Sequence, residues 1–123
     1  MNQESKQLVL KDLCARLPYG VKININGQIE VLDSICDDDG YHFNFIGSNK
    51  EGATIEDIKP YLFPLSSMTE EQKRDYQYIT ERWMNDPTYT ISDSFDWLHK
   101  NHFDYRGLIE KGLALDATNL GIY

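Results

Sequence analysis

Six residues, Val21-Lys22-Ile23-Asn24-Ile25-Asn26, alternate strictly between apolar and polar, and Gly27 follows. A period of two places Val21, Ile23 and Ile25 on one face, the pattern of a strand buried on one side. A helix would scatter the same three residues around its axis. Asn26-Gly27 tolerates positive φ at both centres of a type I′ turn, so the chain is expected to double back as a hairpin. Ile29, Val31 and Leu32 open the return strand, which runs to about Cys36. The alternation slips at Leu32-Asp33, which suggests a bulge. Asp37-Asp38-Asp39-Gly40 is the next turn, after which Tyr41, Phe43 and Phe45 alternate with His42 and Asn44. Three strands joined in this way form an antiparallel meander.

The flanking segments supply helices. Residues 5–17 read as an amphipathic helix with Leu10, Leu13, Cys14 and Leu17 on one stripe. Lys6, Lys11, Asp12 and Arg16 fall largely elsewhere; Ser5 can cap the start and Pro18 limits the end. Gly47 to Gly52 is a polar loop, and Ala53 to Ile58 has moderate strand character. Pro60-Tyr61-Leu62-Phe63-Pro64-Leu65 is apolar but bracketed by prolines, which points to an extended crossing segment or an edge strand. Thr69-Glu70-Glu71-Gln72 is a capping box, and the helix behind it carries Tyr76, Ile79 and Trp83 on one stripe to about Met84. Asn85 to Ile91 is a loop, and Ser92 or Asp93 begins another helix through Phe95 and Leu98.

The most densely functionalised stretch runs from Trp97 to Ala117. Asp104 is placed to cap a short helix with Tyr105, Leu108 and Ile109 on one face. Gly112 then suits the left-handed position after the helix, with Leu108 and Leu113 forming the apolar contact of a Schellman ending. The expected architecture is one α+β domain over residues 1–123. It has an N-terminal helix, a small antiparallel β-meander or SH3-like partial barrel, and C-terminal helices packed on it.

Charge and composition exclude several classes. No run approaches the roughly 20 apolar residues of a membrane span. Met-Asn-Gln-Glu-Ser-Lys opens no signal peptide, so a cytoplasmic protein is expected. Cys14 and Cys36 lie in apolar patterns and read as reduced, half-buried thiols. The net charge is −8. Residues 30–57 hold eight acids against Lys50 alone, whereas residues 1–29 hold four bases and two acids. That balance disfavours direct nucleic-acid binding, which draws its affinity from neutralising phosphates. It permits a basic protein partner.

Candidate chemistry is sparse. Asp96, His99 and His102, spaced i, i+3, i+6, could share one side of a helix as ligands for zinc or iron. The metalloprotease pattern of two histidines four apart with an intervening glutamate is missing. An EF-hand register with Gly40 at position six puts Ile35 and Ile46 where carboxylates are required, so the Asp37–Gly40 run reads as a turn. Ser66 and Ser67 lack a nucleophile elbow, and no glycine-rich phosphate loop suggests a cofactor. Trp97, His102, Phe103, Asp104, Tyr105 and Arg106 form a candidate binding corner.

Three segments carry a resemblance. They are Leu13-Cys14-Ala15-Arg16-Leu17-Pro18-Tyr19-Gly20, Ile58-Lys59-Pro60-Tyr61-Leu62-Phe63-Pro64-Leu65-Ser66-Ser67-Met68-Thr69, and His102 through Leu115. With them the chain resembles a group of small uncharacterised proteins of gut Bacteroidales and their prophages and mobile elements. The group has no assigned activity, so the resemblance implies context only: a cytoplasmic accessory protein linked to a phage or mobile element. The expectation is a non-enzymatic protein that binds another macromolecule, a protein partner foremost. The alternative is a small metal-dependent hydrolase or nuclease using the Asp/His cluster of residues 96–104.

Overall fold

Asn26 and Gly27 both adopt positive φ (51° and 80°), and the chain reverses there as the dipeptide dictates. The computed structural model describes residues 2–37, 41–46, 53–85 and 91–123. The turn joins β1 (Lys22–Ile25) to β2 (Gln28–Asp37) in antiparallel register, with Ile25 opposite Gln28 and Lys22 opposite Val31. Val21, Ile23 and Ile25 are all buried. Strand β3 (Tyr41–Phe45) pairs with β2, completing the meander. The turn residues Asp38–Gly40, the loop over 47–52 and the centre of the loop before the last helix lie outside the described residues.

The bulge falls where the alternation slips. Leu32 opposes Phe45 and Ser34 opposes Asn44, so Asp33 is the extra residue. The extra residue lets Leu32 and Ile35, three apart, both pack against the core, opposite Phe45 and Phe43. Ile29, by contrast, lies opposite Asn24 and faces out.

The proline-bracketed segment departs from expectation. Ile58–Pro64 is β4, an interior strand between β1 and the short strand β5 (Phe103–Asp104), in the order β3-β2-β1-β4-β5. It pairs antiparallel with β1 over residues 58–60. It then runs parallel to β6 (Leu115–Asp116) at Tyr61 and Leu62, and parallel to β5 (Phe103–Asp104) at Phe63 and Pro64. The sheet is therefore mixed rather than purely antiparallel. Each proline closes a ladder: Pro60 is the last partner of β1 and Pro64 the last partner of β5. A residue that cannot donate a hydrogen bond fits such ends, which is how a central strand holds two prolines. The strand character read at Ala53–Ile58 reduces to a bridge from Ala53 to Phe43 and a short 3₁₀ turn capped by Thr54.

Helix α1 (Gln3–Arg16) begins two residues before the expected start, with the Asn2 side chain accepting from the Ser5 amide at 2.7 Å. It supplies Val9, Leu10 and Leu13 to the core, against β1, β4 and residues Leu108, Leu113 and Ala114. Helix α2 (Glu70–Asn85) starts at the capping box: the Thr69 amide donates to Gln72 Oε1 and the Gln72 amide donates to Thr69 Oγ1. Helix α3 (Ile91–Lys100) packs on β5 and α1, and α2 packs on α3. The α+β architecture with one N-terminal and two C-terminal helices is thus present. The helix over the main core is α1.

The stretch after Asp104 forms turns rather than a helix, yet its ending is the one the glycine signals. The Leu113 amide donates to the Leu108 carbonyl at 2.9 Å and the Gly112 amide donates to the Ile109 carbonyl at 3.1 Å. Gly112 has φ +73°. A side chain there meets the left-handed penalty of about 1–2 kcal/mol, while open space around the position adds no clash. Gly112→Ala is therefore expected to destabilise by about 1–2 kcal/mol in urea unfolding, and Gly112→Asn by less.

Candidate functional site

The interior holds an ion network that begins with two residues of α1. Asp12 and Arg16 are one helical turn apart, and both are 0% exposed. Arg16 Nε donates to Asp12 Oδ2 at 2.8 Å, and Arg16 Nη2 donates to the Phe103 carbonyl at 2.5 Å. Arg106 Nε reaches the other carboxylate oxygen, Oδ1, at 3.1 Å. One buried carboxylate thus holds two guanidinium groups, one from its own helix and one from a residue 94 positions away. Charges taken out of water at such cost need partners with good geometry, and the planar arginine fork provides it.

Tyr105 extends the network to α3. Arg106 Nη2 donates to its hydroxyl at 2.8 Å, and that hydroxyl lies 2.6 Å from His99 Nε2. A hydroxyl that accepts from arginine keeps its own hydrogen, which it can donate to Nε2 of a neutral His99 in the Nδ1–H tautomer. Burial, followed by the nearby Arg16 charge, lowers the His99 pKa and keeps the ring neutral. Desolvation raises the Tyr105 pKa. Both guanidiniums also sit over the Tyr105 ring, at 5.7 Å for Arg16 and 4.8 Å for Arg106. These contacts add a cation–π attraction.

Asp104 turns the other way. Its two oxygens accept from the Leu108 and Ile109 amides at 3.0 and 2.9 Å. The expected capping role is met without the helix. Phe103 is buried in β5, and Trp97 lies nearly parallel to it (centroids 5.7 Å, planes 10° apart). The aromatic run continues from Trp97 to Tyr76 on one side. On the other side it passes from Phe103 to Phe63 and Tyr123.

His102 closes that run. It follows the end of α3 with φ +62°, a position glycine usually takes. Its ring stacks on Tyr123 at 3.7 Å with 15° between planes. Burial, with Arg16 and Lys22 nearby, lowers its pKa to about 4. Tyr123 bridges two strands: its hydroxyl accepts from the Lys22 amide of β1 and donates to the Tyr61 carbonyl of β4, each at 2.8 Å. Burial raises its pKa to about 12.

This geometry does not bring the three residues of the metal reading together. Asp96 lies on the exposed side of α3, His99 is bonded to Tyr105 and His102 is stacked beyond the helix end. Among the described residues no three of histidine, cysteine, aspartate and glutamate come together as a metal site. Of the binding corner, Phe103 and Asp104 are buried, while Trp97, His102, Tyr105 and Arg106 are half-buried and engaged internally. Cys14 and Cys36 are free and exposed rather than half-buried.

Sequence reasoning placed Asp12 and Arg16 off the buried stripe. The signal was present in the positions 9, 12, 13 and 16, which share one helical face with Val9 and Leu13. Nothing local marked Tyr123 as a bridge. Compared with protein-family models, curated proteins and solved structures, the chain gives no match.

Two outcomes follow from the network. Asp12→Ala leaves the buried guanidinium of Arg16 and the half-buried one of Arg106 without their carboxylate and is expected to cost about 3–5 kcal/mol in urea unfolding. By comparison, Glu56→Ala removes the exposed partner of Lys6 and should leave the urea midpoint almost unmoved. The histidines set a pH dependence. Folded His102 has a pKa of about 4, below the 6.5 of an unstructured chain, so between these values the unfolded state binds more protons. Stability should therefore fall as pH drops from about 6.5 towards 4, with His99 acting in the same direction. His102→Asn tolerates the positive φ without titrating, and should flatten much of that decline in unfolding midpoints measured across this range.

Proposed function

We propose that this chain is a non-enzymatic accessory domain that binds a protein partner through the outer side of its α2–α3 helix pair. The observation that carries this reading is the placement of α2. None of its described side chains is buried, and none of those described side chains belongs to the main core cluster. A helix of 16 residues is thus held on the surface through α3, with Tyr76 against Trp97 at 5.5 Å.

Helix α3 presents apolar groups beside it. Ile91 is 55% exposed and Phe95 40% exposed, four residues apart on one face. Tyr78 of α2 is 53% exposed. Exposed aromatic and aliphatic groups on a helix face are the anchors that protein interfaces use.

The ionisable groups that the sequence offered for chemistry support the same reading. His99, Asp104, Tyr105 and Arg106 are all engaged in internal bonds that fix the fold. The uneven charge is also partly answered within the molecule, because Lys6 of α1 pairs with Glu56 of the acidic segment at 2.6 Å. The resemblance to proteins of gut Bacteroidales, prophages and mobile elements is consistent with an accessory role in the cytoplasm. No helix among the described residues is long and apolar enough to cross a membrane.

The test is comparative capture from host lysate. The unaltered protein and the variant Ile91→Glu/Phe95→Glu are immobilised in parallel, with Glu56→Gln, a charge change at an exposed site elsewhere, as the control. A partner held stoichiometrically by the unaltered protein and the control, and lost from the double variant, supports the reading. Equal recovery from all three, or recovery of nothing, contradicts it.

A further inference from the structure

The ladder between β1 and β4 stops one pair early. Ile25 faces Ile58, Asn24 faces Lys59 and Ile23 faces Pro60, so the same register sets Lys22 opposite Tyr61 next. That pair is missing from the ladder. The Lys22 amide donates instead to the Tyr123 hydroxyl, which donates in turn to the Tyr61 carbonyl, each at 2.8 Å. Two bonds in series thus stand where one antiparallel N–H···O bond of about 2.9 Å would close the pair. The phenol of Tyr123 is a wedge in the sheet.

The segment that delivers the wedge is lightly held. None of residues 118–123 belongs to the main core cluster, and Asn119, Leu120 and Gly121 are exposed. The segment is bent by the Thr118 amide, which donates to Asp116 Oδ1, and by the Leu120 amide, which donates to the Ala117 carbonyl. Asn119 and Gly121 adopt φ of 65° and 64°, and the asparagine does so against the left-handed penalty. The grip on the sheet comes from the far end. There the Tyr123 ring stacks on His102 and packs on Phe63, with Lys22 Nζ donating to the Ile122 carbonyl. Segments with few buried apolar contacts open at a smaller cost than global unfolding.

We propose that residues 118–123 form a latch with two positions. In the closed position Tyr123 holds β1 and β4 apart at Lys22 and Tyr61. In the open position the hydroxyl withdraws, and the Lys22 amide bonds directly to the Tyr61 carbonyl. Both backbone groups stay satisfied in either position, because each exchanges the phenol for the other. Opening gives up the ring contacts with His102 and Phe63 and returns conformational freedom to the segment. Terms that oppose in this way keep a minor state populated at about 0.1–10%. Opening uncovers the ring faces of His102, just beyond α3, and of Phe63 in β4, and it frees the Lys22 ammonium. Access to these groups is what the latch controls. It uses neither Ile91 nor Phe95, so it stands independently of the partner-binding face.

The test is NMR on the full-length chain. A scalar coupling through the hydrogen bond, between Lys22 ¹⁵N and Tyr61 ¹³C′, reports the direct bond. It should be absent from the main state of the unaltered protein and present in Tyr123→Ala. The Lys22 amide of that variant should exchange with solvent within about tenfold of its rate in the unaltered protein, because the direct bond protects it. Relaxation dispersion on the unaltered protein should show the Lys22, Tyr61 and His102 amides exchanging on the microsecond-to-millisecond scale with a minor state whose shifts match those of Tyr123→Ala. Tyr123→Phe keeps the ring contacts and loses only the bonded hydroxyl, so it serves where the alanine variant does not fold. It should raise the minor population several-fold. A Lys22 amide that loses its protection without gaining the coupling overturns the proposal, because the gap then belongs to the sheet and not to the wedge. So do flat dispersion profiles at these amides in the unaltered protein, or an unchanged minor population in Tyr123→Phe, either of which makes Tyr123 a fixed bolt.

Discussion

The fold depends on one carboxylate. Asp12 sits inside α1 with no exposure, and two guanidiniums from distant parts of the chain converge on it. Arg16 comes from the same helix and also takes the Phe103 carbonyl. Arg106 comes from the segment that follows β5. The three charges fasten the N-terminal helix to the C-terminal part of the molecule, beside a core cluster that holds Val9 and Leu13 together with Leu108 and Leu113. Buried ion groups add little stability against a well-packed apolar alternative, but they cost heavily when one partner is absent. Their consequence here is geometric: they set α1 against the C-terminal segment with Asp12 opposite Arg106.

That register arranges the rest. With α1 fixed, Phe103 is held in β5 next to Phe63, and β5 and β6 extend the hairpin sheet in parallel. Asp104 then folds the following residues back through the Leu108 and Ile109 amides, and Gly112 ends the turn. Tyr123 fastens β1 to β4 at the far side. Helix α3 is joined to this framework through His99 and Tyr105, whereas α2 rests on α3 and none of its described side chains is in the main core. The molecule thus combines a frame whose buried charges pair with one another and a helix pair at its surface.

Local signals were legible where local physics decides the outcome. The Val21–Ile25 alternation, the Asn26-Gly27 turn, the bulge at Asp33, the capping box at Thr69 and the Schellman ending at Gly112 each need only neighbours in sequence. The central position of β4 was not legible, because its prolines argue against a middle strand until the ladder ends are known. The burial of Asp12 and Arg16 was hidden for a related reason. A charged residue on a helix reads as solvent-facing unless its partner is visible, and Arg106 lies 94 residues away. The Trp97–Arg106 neighbourhood was recognised as a concentration of chemistry. Its main role in the fold, binding the termini together, depends on α1 and on Tyr123.

Native-state hydrogen exchange tests the central claim most directly. If the Asp12 network joins α1 to the C-terminal segment, the amides of Leu13 in α1 and of Leu108, Ile109 and Leu113 should open together. They should then exchange with one common free energy and one common denaturant dependence, close to those of global unfolding. Exchange of Leu108, Ile109 and Leu113 through a smaller, separate opening that leaves Leu13 protected would contradict the account. It would show that the C-terminal segment is not held by the helix it touches.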